Sequence, residues 1–266
     1  MSIKLTHTIR TLRHLLLLLA ACLLPQTADA QTAARKKIVR PVAAVKRPAT
    51  TAQHSVAAAQ KLVDFTISGR VYGISDGDWV MLCEPSDKGL HPVDSAQIDG
   101  GRFSFKGKVK SIPYKQYLSV GTGRRAHILD LFVEKGDIKV FLTSESYKDS
   151  VGGTRHNDIY TPYRDSINNI YARLQATMVQ SMLPSNSATD REAYAAGVEV
   201  LRKKIVEMTY GFASKNIGNW VGVYLFGENY KHFTRKQNQA LLARLTRSHP
   251  NLPLEKEIRQ FVSRQK

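Results

Sequence analysis

Ile98-Asp99-Gly100-Gly101-Arg102-Phe103-Ser104-Phe105-Lys106-Gly107 is the stretch on which the fold turns. Asp99-Gly100 is a hairpin-turn signal, and the residues that follow alternate. Phe103 and Phe105 fall on one face of a strand, Ser104 and Lys106 on the other. Upstream, Phe65, Ile67, Gly69 and Val71 alternate with Thr66, Ser68 and Arg70, which predicts a half-buried strand. Ser75-Asp76-Gly77-Asp78 reads as a turn, with strands over Trp79 to Cys83 and Pro92 to Ile98. Arg102 to Val109 and Tyr114 to Val120 follow. His127 to Glu134 is almost wholly apolar, which predicts a central strand covered on both faces. Lys135-Gly136 turns the chain, and Asp137 to Leu142 alternates again. About seven short strands separated by Gly, Asp and Pro turns predict an antiparallel β-sandwich-like domain over residues 62–150. The spacing does not choose between a sandwich and a barrel.

After Ser150-Val151-Gly152-Gly153 the period becomes helical. Ile159, Tyr163, Ile167, Ile170 and Leu174 share a helix face that Met178, Met182 and Leu183 extend. Thr189-Asp190-Arg191-Glu192 opens a second helix running over Ala193 to Ala213, and Asn219 to Phe226 is a third apolar segment. Thr234-Arg235-Lys236-Gln237 fits a capping box before Ala240, Leu241 and Leu245, and Pro253 to Phe261 makes a short last helix. Strands first and helices after, over residues 151–266, define an α+β chain.

The N-terminal 61 residues have a different texture. Lys4, Arg10, Arg13 and His14 precede a Leu-rich run, and Thr27-Ala28-Asp29-Ala30 supplies small residues beyond it. This is the pattern of a secretory signal peptide over residues 1–30, cut between Ala30 and Gln31. The apolar run is shorter than the ~20 residues a membrane span needs. Leu19-Ala20-Ala21-Cys22 offers the alternative of a lipobox with Cys22 acylated, against which Leu23-Leu24-Pro25 continue the apolar run. Residues 31–61 are Ala, Thr, Gln and Val with Lys and Arg, and read as a basic disordered tether, with a short helix over Ala52 to Lys61. The formal charge is +17, of which ten Lys or Arg and the single Asp29 in residues 1–61 contribute +9. The rest is mixed with acids, which gives solubility and says little about partners.

Two cysteines, Cys22 and Cys83, leave one after processing, so neither an internal disulfide nor a Cys-x-x-Cys pair is expected. Cys83 lies in the apolar run Trp79-Val80-Met81-Leu82-Cys83 and reads as a small buried hydrophobe. Gly121-Thr-Gly-Arg-Arg-Ala126 matches a dinucleotide fingerprint in form, but a strand is predicted after it where the motif needs a helix. The eight histidines show no His-Glu-x-x-His spacing. Arg155, His156 and Asp158 cluster with Gly152 and Gly153 at the junction with the first helix, where an anion site or simple capping would use them. Tyr160, Tyr163 and Tyr171 read as packing. The basic run lies in the tether, away from aromatics, so nucleic-acid binding is not expected. No catalytic residue, metal ligand or cofactor is expected.

Phe65-Thr-Ile-Ser-Gly69, Val93-Asp-Ser-Ala, Asp99-Gly-Gly-Arg-Phe103-Ser-Phe105-Lys-Gly107, Leu131-Phe-Val-Glu134-Lys-Gly-Asp-Ile138 and Val151-Gly-Gly-Thr-Arg-His-Asn157-Asp-Ile-Tyr160 in this order resemble one secreted bacterial domain. It is the domain of unknown function numbered 4369, common in Bacteroidetes, where it precedes a thioredoxin-like domain in thiol–disulfide interchange proteins. The resemblance runs over about residues 62–250 and implies fold, export and a cell-envelope setting. No Cys-x-x-Cys follows, so the redox activity of such proteins is not carried over. The expectation is an exported, non-enzymatic envelope protein, periplasmic or outer-membrane associated, that binds or scaffolds an unidentified ligand or partner. Two alternatives stand beside it: an accessory to a separate thioredoxin-like oxidoreductase, and a binder of anionic polymer or membrane surface through weak contacts of the basic tether.

Overall fold

The computed structural model describes residues 62–265, apart from 111, 122–125 and 146–147. The signal-peptide and tether readings, with Cys22, Ala30 and Gln31, fall outside the described residues.

The strands are β1 (Leu62–Tyr72), β2 (Trp79–Ser86), β3 (Gly89–Gln97), β4 (Arg102–Lys110), β5 (Tyr114–Val120), β6 (His127–Val133), β7 (Gly136–Thr143) and β8 (Ser150–Gly152). They form two four-stranded sheets, ordered β4-β1-β7-β8 and β3-β2-β5-β6, packed face to face as a sandwich. The described residues hold eight strands where about seven were expected. The added one, β8, is only three residues long and ends at Gly152, next to Gly153, too short for alternation to show. The sheets are not purely antiparallel either: β1 and β7 run parallel. Both donate inward apolar rows (Ile67 on β1; Ile138, Val140 and Leu142 on β7) that alternation alone cannot orient.

The turn at Asp99 has hairpin geometry, with Gly100 and Gly101 at φ 55° and 68° and paired backbone bonds between Asp99 and Arg102 of 2.9 and 3.0 Å. Those φ values suit a two-residue I′ turn. Its two arms nevertheless enter different sheets, so the turn carries the chain from one layer to the other.

Between β4 and β1, two phenylalanines and two glycines are matched. The antiparallel register sets Gly69 opposite Phe103 and Phe65 opposite Gly107. A Cβ on Gly69 would stand 2.1 Å from the Phe103 ring, and one on Gly107 would stand 2.8 Å from the Phe65 ring. Each ring thus lies over a bare backbone, and Phe103 meets Phe105 edge-on at 5.9 Å between centroids. Edge-to-face geometry is the favoured aromatic arrangement.

Strand β6 is an edge strand, not the central one expected. Leu129, Leu131 and Val133 face the sandwich core, while Phe132 points outward and is fully buried under the helices. Helical cover on the outer face, rather than a central place in the sheet, explains its apolar composition.

The helices are α1 (Arg155–Ser181), α2 (Ala188–Asn216), α3 (Trp220–Asn229), α4 (Arg235–Ser248) and α5 (Pro253–Arg264), with a 3-10 turn over Tyr230–His232. The second begins earlier than expected, because Ser187 caps it in a capping box with Asp190. The expected box of Thr234 with Gln237 opens α4. Phe132, Tyr160, Tyr163, Ile167, Ile170, Leu201 and Leu225 bury the seam between sheet and helices. A second helical core gathers Phe226, Phe233, Leu241, Leu245 and Ile258.

Candidate binding surface

Three polar clusters hold the helices to the sandwich, and each is satisfied from within. Lys115 on β5 is 10% exposed in its side chain, with Nζ 3.3 Å from Asp130 Oδ2 and 3.6 Å from Glu228 Oε2. It also lies 4.9 Å from the Tyr224 ring centroid and 5.4 Å from that of Tyr117. Tyr160 donates to Asp130 at 2.7 Å, and Tyr224 donates to Glu228. Burial pushes the ammonium down, but Glu228, the phenol oxygens of Tyr160 and Tyr224, and Asp130 outweigh it and hold Lys115 well above the usual lysine range. So placed, Lys115 is an electrostatic tie between β5, β6, α1 and α3.

The second cluster fills the start of α1. Asn157 is buried, and its side-chain amide accepts from the Phe132 backbone N–H and donates to the Phe132 carbonyl, both at 2.8 Å. It therefore completes the open edge of β6 as a further strand would. Glu134 accepts from the His156 backbone N–H at 2.8 Å, and its other oxygen lies 2.5 Å from His156 Nδ1. The helix N-terminus that sequence offers as an anion site is thus occupied by a carboxylate of the same chain. Burial pushes that carboxyl up, but hydrogen bonds from His156 and Thr154 more than offset it, leaving it below the usual range. Asp158 accepts from the Gly153 N–H at 2.9 Å, and Arg155 is exposed.

In the third cluster, His127 Nε2 meets Asp149 Oδ2, and Asp149 Oδ1 accepts from the Thr143 N–H at 2.8 Å. Arg164, 3% exposed, donates to the Asp149 carbonyl at 3.3 Å and to Asp165 at 2.8 Å. These bonds tie β6 to the segment between β7 and β8 at the sandwich rim.

The remaining sequence candidates are dispersed. Cys83 is 2% exposed, and burial pushes its thiol up. Residues 122–125 of the glycine motif lie outside the described residues, and the element after it is β6. Tyr160 and Tyr163 are buried in packing, with Tyr171 at the helix surface. Among the described residues, no group of three or more His, Cys, Asp or Glu is placed to hold a metal. No described helix is long and apolar enough to cross a membrane.

What stays open is the outer face of the sheet β4-β1-β7-β8. Alternation sends Ser104, Lys106, Lys108 and Lys110 outward from β4, with Arg102 before them, and Asp64, Thr66, Ser68, Arg70 and Tyr72 outward from β1. Asp137, Lys139 and Phe141 point the same way from β7. That makes six cations against two carboxylates on one face. The carboxylates are spent locally: Asp64 pairs with Lys108 at 3.4 Å, and Asp137 with Lys139 while accepting from Ser68 at 2.8 Å. Arg70 and Arg102 make no ion pair among the described residues.

Register sets Arg102 beside Arg70, Arg70 beside Phe141, and Phe141 beside Ser150. Phe141 is 40% exposed, although inward positions were available to it on either side. This row crosses a shallow groove of about 1150 Å³ that Ser104 and Lys139 also line, with Ser95 to Gln97 of β3 as one wall and Asp99 as its one carboxylate. Sequence reading missed it for a physical reason. Each residue is an ordinary outward position in its own strand, and only the β4-β1-β7 register gathers them.

The fold and surface define a two-sheet sandwich with one face under helices and the other presented to solvent. Residues 65–160, from β1 into the opening of α1, match the family described as Domain of unknown function (DUF4369), the domain the sequence resembles. No curated protein matches the chain.

Proposed function

We propose that the chain is an exported, non-enzymatic protein of the cell envelope that works by binding, and that the outer face of the sheet β4-β1-β7-β8 is its binding surface. One observation supports this reading above the rest: Arg70 and Arg102 stand side by side, exposed and free of carboxylates, next to an exposed Phe141. At the seam between sheet and helices, by contrast, Lys115, Glu134 and Arg164 are consumed by internal ties. An arginine fork left open to solvent suits capture of an outside anion. Export is supported by the basic, apolar and Ala-x-Ala order of residues 1–30.

The test is retention in the envelope. A full-length chain carrying Cys22→Ser, so that no acyl anchor intervenes, should sediment with envelopes at low salt and be released at about 1 M, where screening is nearly complete. The same chain with Arg70→Glu and Arg102→Glu should appear in the soluble exported fraction. Equal retention of both would refute the surface. A mixed disulfide trapped between Cys83 and a thioredoxin-like protein would favour the accessory role instead.

A further inference from the structure

We propose that the groove takes a linear acidic polysaccharide whose charge is carried by carboxylates, of the uronate type. This rests on the binding reading above and names its ligand class. Strands in a sheet lie about 4.8 Å apart, so Arg102, Arg70 and Phe141 form a row about 10 Å long across three strands. Guanidinium groups at that spacing present paired N–H donors, which match planar carboxylates two at a time. Phe141 offers a flat apolar face in the same row, suited to the C–H face of a sugar ring. Ser104 and Ser150 place hydroxyls beside it, and no described bond occupies their side chains. A hydroxylated polymer needs such neutral partners; a bare polyanion does not.

The same geometry disfavours other polyanions. A bilayer is flat, whereas the two arginines and Phe141 lie in a groove between β3 and β8. Single-stranded nucleic acid is held by several aromatics on which successive bases stack. Here Phe141 is the one outward aromatic in the groove, and the exposed Tyr72 stands outside its lining.

Polygalacturonate is the probe, titrated calorimetrically into the full chain at about 0.15 M salt, with polyglutamate and neutral dextran as comparisons. Polygalacturonate should bind tighter than polyglutamate, and dextran should not bind. The Arg70→Ala and Arg102→Ala double variant should lose about tenfold or more in affinity, equivalent to about 1.4 kcal/mol. Phe141→Ala should lose about threefold, and its residual binding should no longer separate polygalacturonate from polyglutamate. Replacing Arg35, Lys36 and Lys37 by Gln should change affinity less than twofold. Arg70, Arg102 and Phe141 are exposed, and unchanged melting of each variant is the control. Equal affinity for polyglutamate in the unaltered chain would make the face a general polyanion surface and overturn the inference. So would loss of binding only in the Arg35, Lys36, Lys37 variant, or no binding at all. If envelope retention still depends on Arg70 and Arg102 while polygalacturonate fails, the surface stands and only its ligand class falls.

Discussion

Gly69→Ala should destabilise the sandwich through a single ring, and the effect can be isolated. Gly69 sits in a strand with ordinary negative φ, so the added methyl meets no backbone strain. It would stand 2.1 Å from Cε1 and Cζ of Phe103, and carbon contacts relax to about 3.5 Å, so the ring must move by about 1.5 Å. Phe103 is buried and bounded by Phe105, so that movement displaces a packed core. Overpacking costs about 1–3 kcal/mol, and a methyl in place of glycine returns about 0.5–1 through lost chain entropy, for a net cost of about 1–2. Phe103→Ala alone should cost about 3–5 kcal/mol. In the double variant the methyl enters space the ring has left, so the clash vanishes and the total should be about 3. The coupling is then about 2 kcal/mol in the compensating direction, within the range for touching residues. Urea unfolding followed by circular dichroism and tryptophan fluorescence measures it, provided the slopes agree among variants. Additivity within about 0.5 kcal/mol would refute the ring-over-glycine account.

Further outcomes are expected at Glu134, in the Lys115 cluster and at Cys83. Glu134 is held below the usual carboxyl range, so its stabilisation is present at neutral pH and is lost as pH falls through its folded value. Glu134→Gln should flatten the acid limb of a stability–pH curve, and an unchanged limb would count against the cap. Lys115, Tyr160 and Tyr224 are all raised, so the folded state holds protons that the unfolded chain gives up, and stability should fall above about pH 10. Lys115→Met should lose about 3 kcal/mol at neutral pH, near the lower end for breaking a buried pair, because Glu228 stays half-exposed and can rehydrate; a melting temperature equal to the parent would refute the tie. Cys83 should resist an aromatic disulfide reagent until the protein unfolds, and insulin reduction by the pure chain should match the uncatalysed rate with or without Cys83→Ser. Steady turnover abolished by that substitution would overturn the non-enzymatic reading.

Alternation made the strands legible, because inward and outward positions differ in polarity at every second residue. The split of Phe103 and Phe105 from Ser104 holds, with both rings buried and the serine exposed. Pairing was less legible. Nothing local in β1 says that β7 will run parallel to it, and the apolar run of β6 is the same whether a sheet neighbour or a helix covers it. The capping box at Thr234 was readable because it is local, and the earlier start at Ser187 follows the same rule two residues upstream of the expected one. The arginine row was invisible for the opposite reason: Arg70 and Arg102 are 32 positions apart and meet only through register.

Asn157 has a bearing on how the chain stays soluble while it folds. An uncovered strand edge recruits other strands, and the outward Phe132 on β6 would make that edge adhesive as well. All the ladder partners of β6 precede it in sequence, yet its guard arrives only with residue 157, and the aromatic cover from Tyr224 arrives later still. A sandwich truncated at Gly153 would therefore carry a sticky margin, and nascent chains share that hazard until the first helix has formed. The helical half thus supplies both the edge partner and the apolar cover that β6 lacks on its own.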